Sequence, residues 1–342
     1  MRKRKLISLF IALAVVAALA IAFYLRAKAP PEAARLLPES DAIVYIHLKT
    51  LRAATHFDTT PVARSTDFQR FIDATGIVPE RDLDAVAFAL HRMPDPHGPN
   101  GPVAYSEVFM GRFDGVRFDH YLLSIAAAQE TYAGHTIYTV PIEDRQLRIA
   151  QLGYDMIAAS NMPTSEQIHS MIDRSRASAL SSPGSSLLAA RYHEVPQLPL
   201  PAQAWGIGHI GLPFSIEGHI NVMGLQLPLP EDTDLVASLR YTGSVHLRIE
   251  EIAPDAASAQ NTVDTVTSIL GILRGIGSAT STNDAASQSM RDILNRITLE
   301  QHNDRAQLDA TASIDQLRAL TTAHNPAATS DATSSVPPTS NH

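Results

Sequence analysis

The sequence predicts an α+β protein: two tandem antiparallel-sheet-plus-helix units behind one N-terminal transmembrane helix. Three observations predict it. Residues 6–25 form an apolar run broken only by Ser8 and Tyr24. Beyond that run, segments alternating at a period of two are interleaved with segments whose apolar residues recur every three or four positions. From 177 to 203 the chain becomes rich in Ser, Pro and Ala, which is the composition of a connection rather than of a core.

As a helix, the run at 6–25 spans about 30 Å, the thickness of a bilayer's hydrocarbon core. Arg2, Lys3, Arg4 and Lys5 precede it. Basic residues on that flank hold the N-terminus in the cytoplasm and send the remainder across, so these four are the topology-determining residues. Arg26 and Lys28 on the far flank weaken the bias. A cleavable signal peptide is the competing reading, because Ala27-Lys28-Ala29 has the small-x-small form of a processing site. Against it stand the length of the run and Pro30 directly after the cut. The expectation is a single-pass protein of the bacterial inner membrane with a periplasmic C-terminal region, in contact with the lipid bilayer through residues 6–25.

The elements follow in order. Residues 1–29 are the basic stub and signal-anchor, and 36–176 the first α+β unit. In it, 42–48 reads as a central strand, apolar on both faces. Thr60-Pro61 suits a helix start, and Phe68, Phe71 and Ile72 recur at helical spacing up to Gly76. Strands are expected at 84–91 and 103–112, around a Pro- and Gly-rich loop. Asp114 suits the cap of a helix with Phe118, Tyr121, Leu122 and Ile125 on one stripe. A strand at 136–142, a turn at Glu143-Asp144, a long strand over 146–159 and a helix after Pro163 complete the unit.

Residues 177–203 are the connection, and 204–322 the second unit. Its expected strands are 204–211, 215–225, 234–241 and 244–252. Val263, Val266, Ile269, Leu270, Leu273 and Ile276 mark a long amphipathic helix, followed by a break at 277–287. A hairpin around His302-Asn303-Asp304 and a capping box at Ser313 and Gln316 precede the last helix. Residues 323–342 have the composition of a disordered tail.

Charge and composition exclude several functions. The chain has 342 residues, 27 of them Lys or Arg and 35 Asp or Glu. Six basic and no acidic residues lie in the first 28, leaving 21 basic against 35 acidic, a net of −14. An acidic body repels phosphate polymers, so nucleic acid is not an expected partner. Without cysteine there is no disulfide, thiolate nucleophile or Cys-ligated metal.

No catalytic, cofactor-binding or metal-binding residue is assigned. Gly206, Gly208 and Gly211 satisfy the G-x-G-x-x-G pattern, but Leu212-Pro213-Phe214 and an alternating segment follow where a dinucleotide site needs a helix, so a glycine-rich strand is expected. His209 shares a strand face with Trp205 and Ile207 and reads as a core-edge histidine, and His219 as a surface one. No metalloprotease or His-x-His pattern with a third ligand occurs. Arg191, His193 and Glu194 form the densest acid/base cluster, read as a solvated linker. His246, Arg248 and Glu250 alternate with Val245, Leu247 and Ile249, as on a solvated sheet face. Lys49 is the only lysine after Lys28.

Leu36-Leu37-Pro38-Glu39-Ser40-Asp41-Ala42 entering a strand, and Ala133-Gly134-His135-Thr136-Ile137-Tyr138 before a hairpin, resemble bacterial membrane-anchored envelope (periplasmic) proteins of unknown function. The resemblance implies one anchor and a tandem exported region, and supplies no catalytic residue. The expected function is a membrane-anchored exported scaffold or binding module for an envelope protein partner. An enzyme with a site between the units, and a lipid-binding or transport accessory protein with a lipid ligand, are the alternatives.

Overall fold

The computed structural model describes residues 29–59, 64–98, 101–177, 184–197, 201–209, 215–216, 219–222, 225–228, 233–279 and 284–324. Its helices are α1 (Glu32–Leu36), α2 (Leu48–Thr55), α3 (Thr66–Thr75), α4 (Pro79–Asp82), α5 (Gly115–Ile125), α6 (Glu166–Arg176), α7 (Ser186–Arg191), α8 (Ala256–Ala279), α9 (Ala285–Arg296) and α10 (Ile314–His324). The strands are β1 (Ala42–Ile46), β2 (Leu83–Arg92), β3 (Val103–Gly111), β4 (Ala128–Tyr132), β5 (His135–Ile142), β6 (Arg145–Gln151), β7 (Met156–Ser160), β8 (Ala204–His209), β9 (Ser215–Ile216), β10 (His219–Val222), β11 (Leu225–Pro228), β12 (Asp234–Tyr241), β13 (Val245–Ile252), β14 (Thr298–His302) and β15 (Arg305–Ala312).

Twelve strands form one sheet in the order β14-β15-β13-β12-β8-β1-β2-β3-β7-β6-β5-β4, and β11-β10-β9 form a small separate one. This corrects the expected fold class: the architecture is a mixed α/β fold on one large antiparallel sheet, not two tandem sheets. The reason is a non-local pairing. β1 pairs with β2 on one side and β8 on the other, so Ile43 faces both Ala89 and Ile207, and Tyr45 faces both Ala87 and Trp205. Alternation within a strand fixes its faces but not which distant strand takes its free edge.

The membrane part of the expectation is corrected as well. Among the described residues no helix is long and apolar enough to cross a membrane. The longest, α8, carries Gln260, Asn261, Asp264 and Arg274. Residues 6–25, with Arg2, Lys3, Arg4 and Lys5, lie outside the described residues, as does the expected tail from 325 onward. A transmembrane signal-anchor in the fold, a bilayer partnership through 6–25 and a single-pass inner-membrane localisation are therefore withdrawn.

The chain divides into two compact units, 1–217 with 234–238, and 218–233 with 239–342. In the first, register places Ile43, Tyr45, Ala87, Ala89, Val108 and Ala158 on one sheet face. α1 packs on β2 and β3, α6 on β6 and β7, and α7 on β8. They bring Ala33, Ala34, Ile168, Met171, Ile172 and Leu188, all wholly buried. Trp205 stacks on Tyr45 at 5.5 Å between ring centres and meets Tyr192 edge-on at 5.3 Å. On the other face Ile77, Phe118, Leu122, Tyr138, Val140 and Ile157 form a second core with Phe71, Phe109 and Tyr121 against it.

Local signals explain the element ends. The Asp114 carboxylate accepts from the Arg117 amide at 3.2 Å and starts α5. Ser65 does the same for α3 with the Phe68 amide at 3.2 Å, and Gly76 ends that helix at φ 75°; Thr60 and Pro61 lie outside the described residues. The expected long strand over 146–159 is two strands, β6 and β7, parted by a turn at 152–155. β4 pairs with β5, Tyr132 opposite His135, through a turn in which Ala133 and Gly134 take φ of 50° and 87°.

In the second unit β15 lies between β13 and β14, with Leu308 opposite both Ile249 and Leu299. α8 packs on β14, β15 and α9, and α9 on α10. Leu270 of the expected apolar stripe is buried, as is Ala259 earlier in the helix, but Ile276 is 56% exposed. The expected break at 277–287 is shorter, because α9 begins at Ala285 with Asp284 accepting from the Ser287 amide at 2.8 Å. The capping box is present: the Gln316 amide donates to Ser313 Oγ at 3.1 Å, and the Ser313 amide to Gln316 Oε1 at 2.9 Å.

Candidate functional site

The residues singled out from sequence fall into separate places. Gly206 and Gly208 lie inside β8, opposite Val44 and Ala42, and Gly211 is outside the described residues. A Cβ on Gly208 would come within 3.1 Å of the Ala42 Cβ, so close approach of β8 to β1, not a phosphate, explains the missing side chain. His193 lies beside its neighbour Glu194, at 3.1 Å. Arg191 instead donates to Asp234 at 2.6 Å, and His209 Nδ1 lies 2.9 Å from the other oxygen of the same carboxylate. Asp234 is thus a junction the sequence reading missed.

The strand face of His246, Arg248 and Glu250 is less solvated than alternation implies. Glu250 is 8% exposed, 2.7 Å from Arg305 and 3.4 Å from Arg248. His246 sits 2.9 Å from Ser244 Oγ and 3.2 Å from Thr311. Lys49 is exposed, 3.9 Å from Asp84, and His219 belongs to β10. Among the described residues no group of three or more His, Cys, Asp or Glu is placed to hold a metal ion.

A serine–histidine pair exists in the core: His91 Nε2 is 2.9 Å from Ser106 Oγ, which is 3.0 Å from Ser160 Oγ. Burial depresses the His91 pKa, as suits a base. Yet all three side chains are at most 5% exposed, so no substrate reaches them, and the chain of hydrogen bonds satisfies polar groups inside the core.

Two surface concavities carry accessible polar groups. The first, about 480 Å³, runs along α6 and is lined by Glu166, His169, Ser170, Asp173 and Arg174. Beside it the Tyr132 ring stacks on His169 with centres 3.8 Å apart. His169 Nε2 is 2.6 Å from Glu130, Ser165 Oγ donates to the other Glu130 oxygen at 3.1 Å, and the Tyr132 hydroxyl donates to Asp173 at 2.8 Å. These partners are spent on one another and bind strand β4 to helix α6.

The second, about 290 Å³, lies between α5 and the β5–β6 strands, with Phe118 and Leu122 as floor and Asp119, His135, Thr136, Tyr138 and Gln151 as polar lining. The helix places Asp119 one residue after core Phe118, so its carboxylate stands at the rim. Tyr138 donates its hydroxyl to Asp119 at 2.5 Å. Burial, then this bond to a carboxylate, pushes the phenol up to about 12. His135 Nδ1 donates to the Gln151 carbonyl at 2.9 Å, and the Gln151 amide donates to Gly153 O at 2.9 Å, closing the β6–β7 turn.

The helix and the turn that frame this second pocket also carry exposed apolar side chains. Val116 and Leu123, on α5, are 70% and 54% exposed, and Tyr154, next to lining residue Gly153, is 84% exposed. Sequence reading followed the inward stripe of α5 and passed over this outward one. The signal was present: Val116 and Leu123 are seven residues apart, on one helical face opposite Phe118.

Fold and site together define a mixed α/β sheet protein with a polar surface pocket and exposed apolar side chains on the elements that frame it. No protein-family model matches the chain, and no curated protein matches it. Among solved structures, crystal form III of TP0453 aligns at a TM-score of 0.47 and 12% identity, covering 86% of this chain and 99% of that one. Crystal form IV aligns at 0.45 and 12%, and form I at 0.41 and 10%, each again over 86% of this chain and over 97% and 98% of the other. No residue role is carried across from these structures.

Proposed function

We propose that the protein is a lipid-associating protein of the bacterial periplasm, meeting lipid through the face formed by α5 and the β6–β7 turn. The observation that carries this reading is the exposure of Val116, Leu123 and Tyr154 on the helix and turn that frame one polar pocket. Exposed apolar side chains clustered beside a polar site mark an interaction surface. An outward aliphatic stripe on a helix beside a tyrosine suits the boundary between water and acyl chains, where a phenol buries its ring and keeps its hydroxyl wet. Taken by itself, the second unit also exposes Ile272 and Ile276, each 56% exposed and one turn apart on α8.

The basic and then apolar composition of residues 1–28 supports export from the cytoplasm. With a net of −14 beyond residue 28, attraction to anionic headgroups is not the driving force. Insertion of apolar side chains is, at about 1.5–3 kcal/mol for each large one fully buried.

The absence of cysteine makes a local test clean. Tyr154→Cys, labelled with an environment-sensitive fluorophore, is expected to shift to the blue on phosphatidylcholine vesicles, while the same label at exposed Asp67→Cys stays unshifted. Adding Val116→Asp should weaken the response of the label at position 154 at least about ten-fold, and raising the salt several-fold should leave it unchanged. A label at that position that stays in water while the protein floats with the vesicles would sink the proposal.

A further inference from the structure

We infer that the pocket between α5 and the β5–β6 strands binds a primary ammonium group. The Asp119 carboxylate accepts only. The Tyr138 proton is committed to Asp119, leaving the phenol oxygen's remaining lone pair. The His135 Nδ1 proton is committed to the Gln151 carbonyl, so of the two ring nitrogens Nε2 is the one that can accept. Gln151 spends an amide hydrogen on Gly153 O and keeps Oε1, for which no donor is found among the described residues. The Thr136 hydroxyl and the second Gln151 amide hydrogen remain as donors, but the acceptor sites outnumber them, and one acceptor carries a negative charge.

A ligand that answers this lining brings several N–H donors and a positive charge on a small head. A primary ammonium has three such donors. A quaternary ammonium has the same charge and none, and a carboxylate or phosphate meets repulsion from Asp119. The cavity, about 290 Å³, holds a head of this size with room for a short chain, and the Phe118 and Leu122 floor receives methylene groups. The source is either a free alkylamine or the ethanolamine headgroup of a lipid whose acyl chains lie against Val116, Leu123 and Tyr154. The inference rests on the lipid reading for that second source alone.

The test uses the full chain in two arms. In the first, the His135 ring resonance is followed in histidine-labelled protein during titration with ethylammonium and with tetramethylammonium. Ethylammonium is expected to saturate with a dissociation constant of about a millimolar, as its few heavy atoms allow, and tetramethylammonium to bind at least about ten-fold more weakly. Asp119→Asn, at an exposed position, should lose at least about ten-fold. Tyr138→Phe, which keeps the charge, should lose less. Equal binding of the two cations, or an Asp119→Asn protein that binds as well as the wild type, overturns the ammonium site.

In the second arm, the fluorophore carried by the Tyr154→Cys protein reports on vesicles with ethanolamine or choline headgroups. Tighter binding to the ethanolamine vesicles, lost when Asp119→Asn is added, supports the lipid source. Equal binding to both, with ethylammonium still taken up in the first arm, overturns the lipid source and supports a free amine. A fluorophore that responds to no vesicle speaks against the lipid reading and leaves the first arm to decide the pocket.

Discussion

Glu251→Gln is expected to raise stability at pH 8 by about 3 kcal/mol and to change it little at pH 4, with a pKa displacement worth about 1.4 kcal/mol per unit. Glu251 lies in β13 opposite Ala306 and is 3% exposed. Its Oε1 accepts from Thr262 at 3.1 Å, while Oε2 has no partner among the described residues. Burial pushes the carboxyl up to about 7, against the downward pull of the Thr262 hydroxyl. Glu107, in β3 opposite Phe88 and Ala159, is likewise pushed to about 7 by burial.

The sign follows from proton uptake. The unfolded carboxyl titrates near 4.5 and the folded one near 7, so in that window the folded state holds the extra proton. Each group's stabilisation is full below pH 4.5 and is lost as pH rises through 7. Removing either carboxyl flattens this slope. Trp205, the sole tryptophan, belongs to the first unit, so urea unfolding followed by its fluorescence reads Glu107→Gln, and circular dichroism reads Glu251→Gln. Wild-type stability that does not fall between pH 5 and pH 8 would refute the assignment.

Gly111→Ala is expected to destabilise the protein by about 3–4 kcal/mol, in the range of severe overpacking. A Cβ there would lie 2.3 Å from the Asp82 carbonyl oxygen and 3.1 Å from the Leu83 Cα, and neither is a flexible side-chain end. The site is pinned on both sides, since the Gly111 amide donates to Asp155 O and the Arg112 amide to Asp82 O, each at 2.9 Å. The β2–β3 pairing also shifts register between Leu83 and Ala85, leaving no regular ladder to absorb a displacement. Gly271→Ala is the contrast. Nothing lies within 4 Å of a Cβ at this position inside α8, so relief of backbone entropy should stabilise by about 0.5–1 kcal/mol. Denaturation midpoints for both variants check the pair.

What the sequence made legible follows the range of the forces involved. Caps were readable because their partners are three residues away: Asp114 with Arg117, and Ser313 with Gln316. Strand positions such as β2 and β3 were readable from alternation. α9 was missed because Met290, Ile293 and Leu294 are the only large apolar residues in twelve, too few to establish a period. The β1–β8 edge was missed because it joins segments far apart in the chain. The pocket was hidden for the same reason, as Asp119, His135 and Gln151 meet only once α5, β5 and β6 are assembled. The carboxyls were visible in principle, Glu107 being the one charged residue between Tyr105 and Phe109 on an otherwise apolar face.

The way β4 is tied down bears on how this protein behaves when crowded. A sheet of twelve strands ends in two rows of unsatisfied amides and carbonyls, and such rows recruit further copies. At β4, two side chains of the outermost strand are fastened to α6, Glu130 through His169 and Ser165, Tyr132 through Asp173. At β14, Glu300 and His302 stand 63% and 65% exposed, charge placed where an incoming chain would have to desolvate it. Concentrated solutions are accordingly expected to stay clear, and replacing Glu130 and His169 together with valine should turn them turbid and thioflavin-positive on standing.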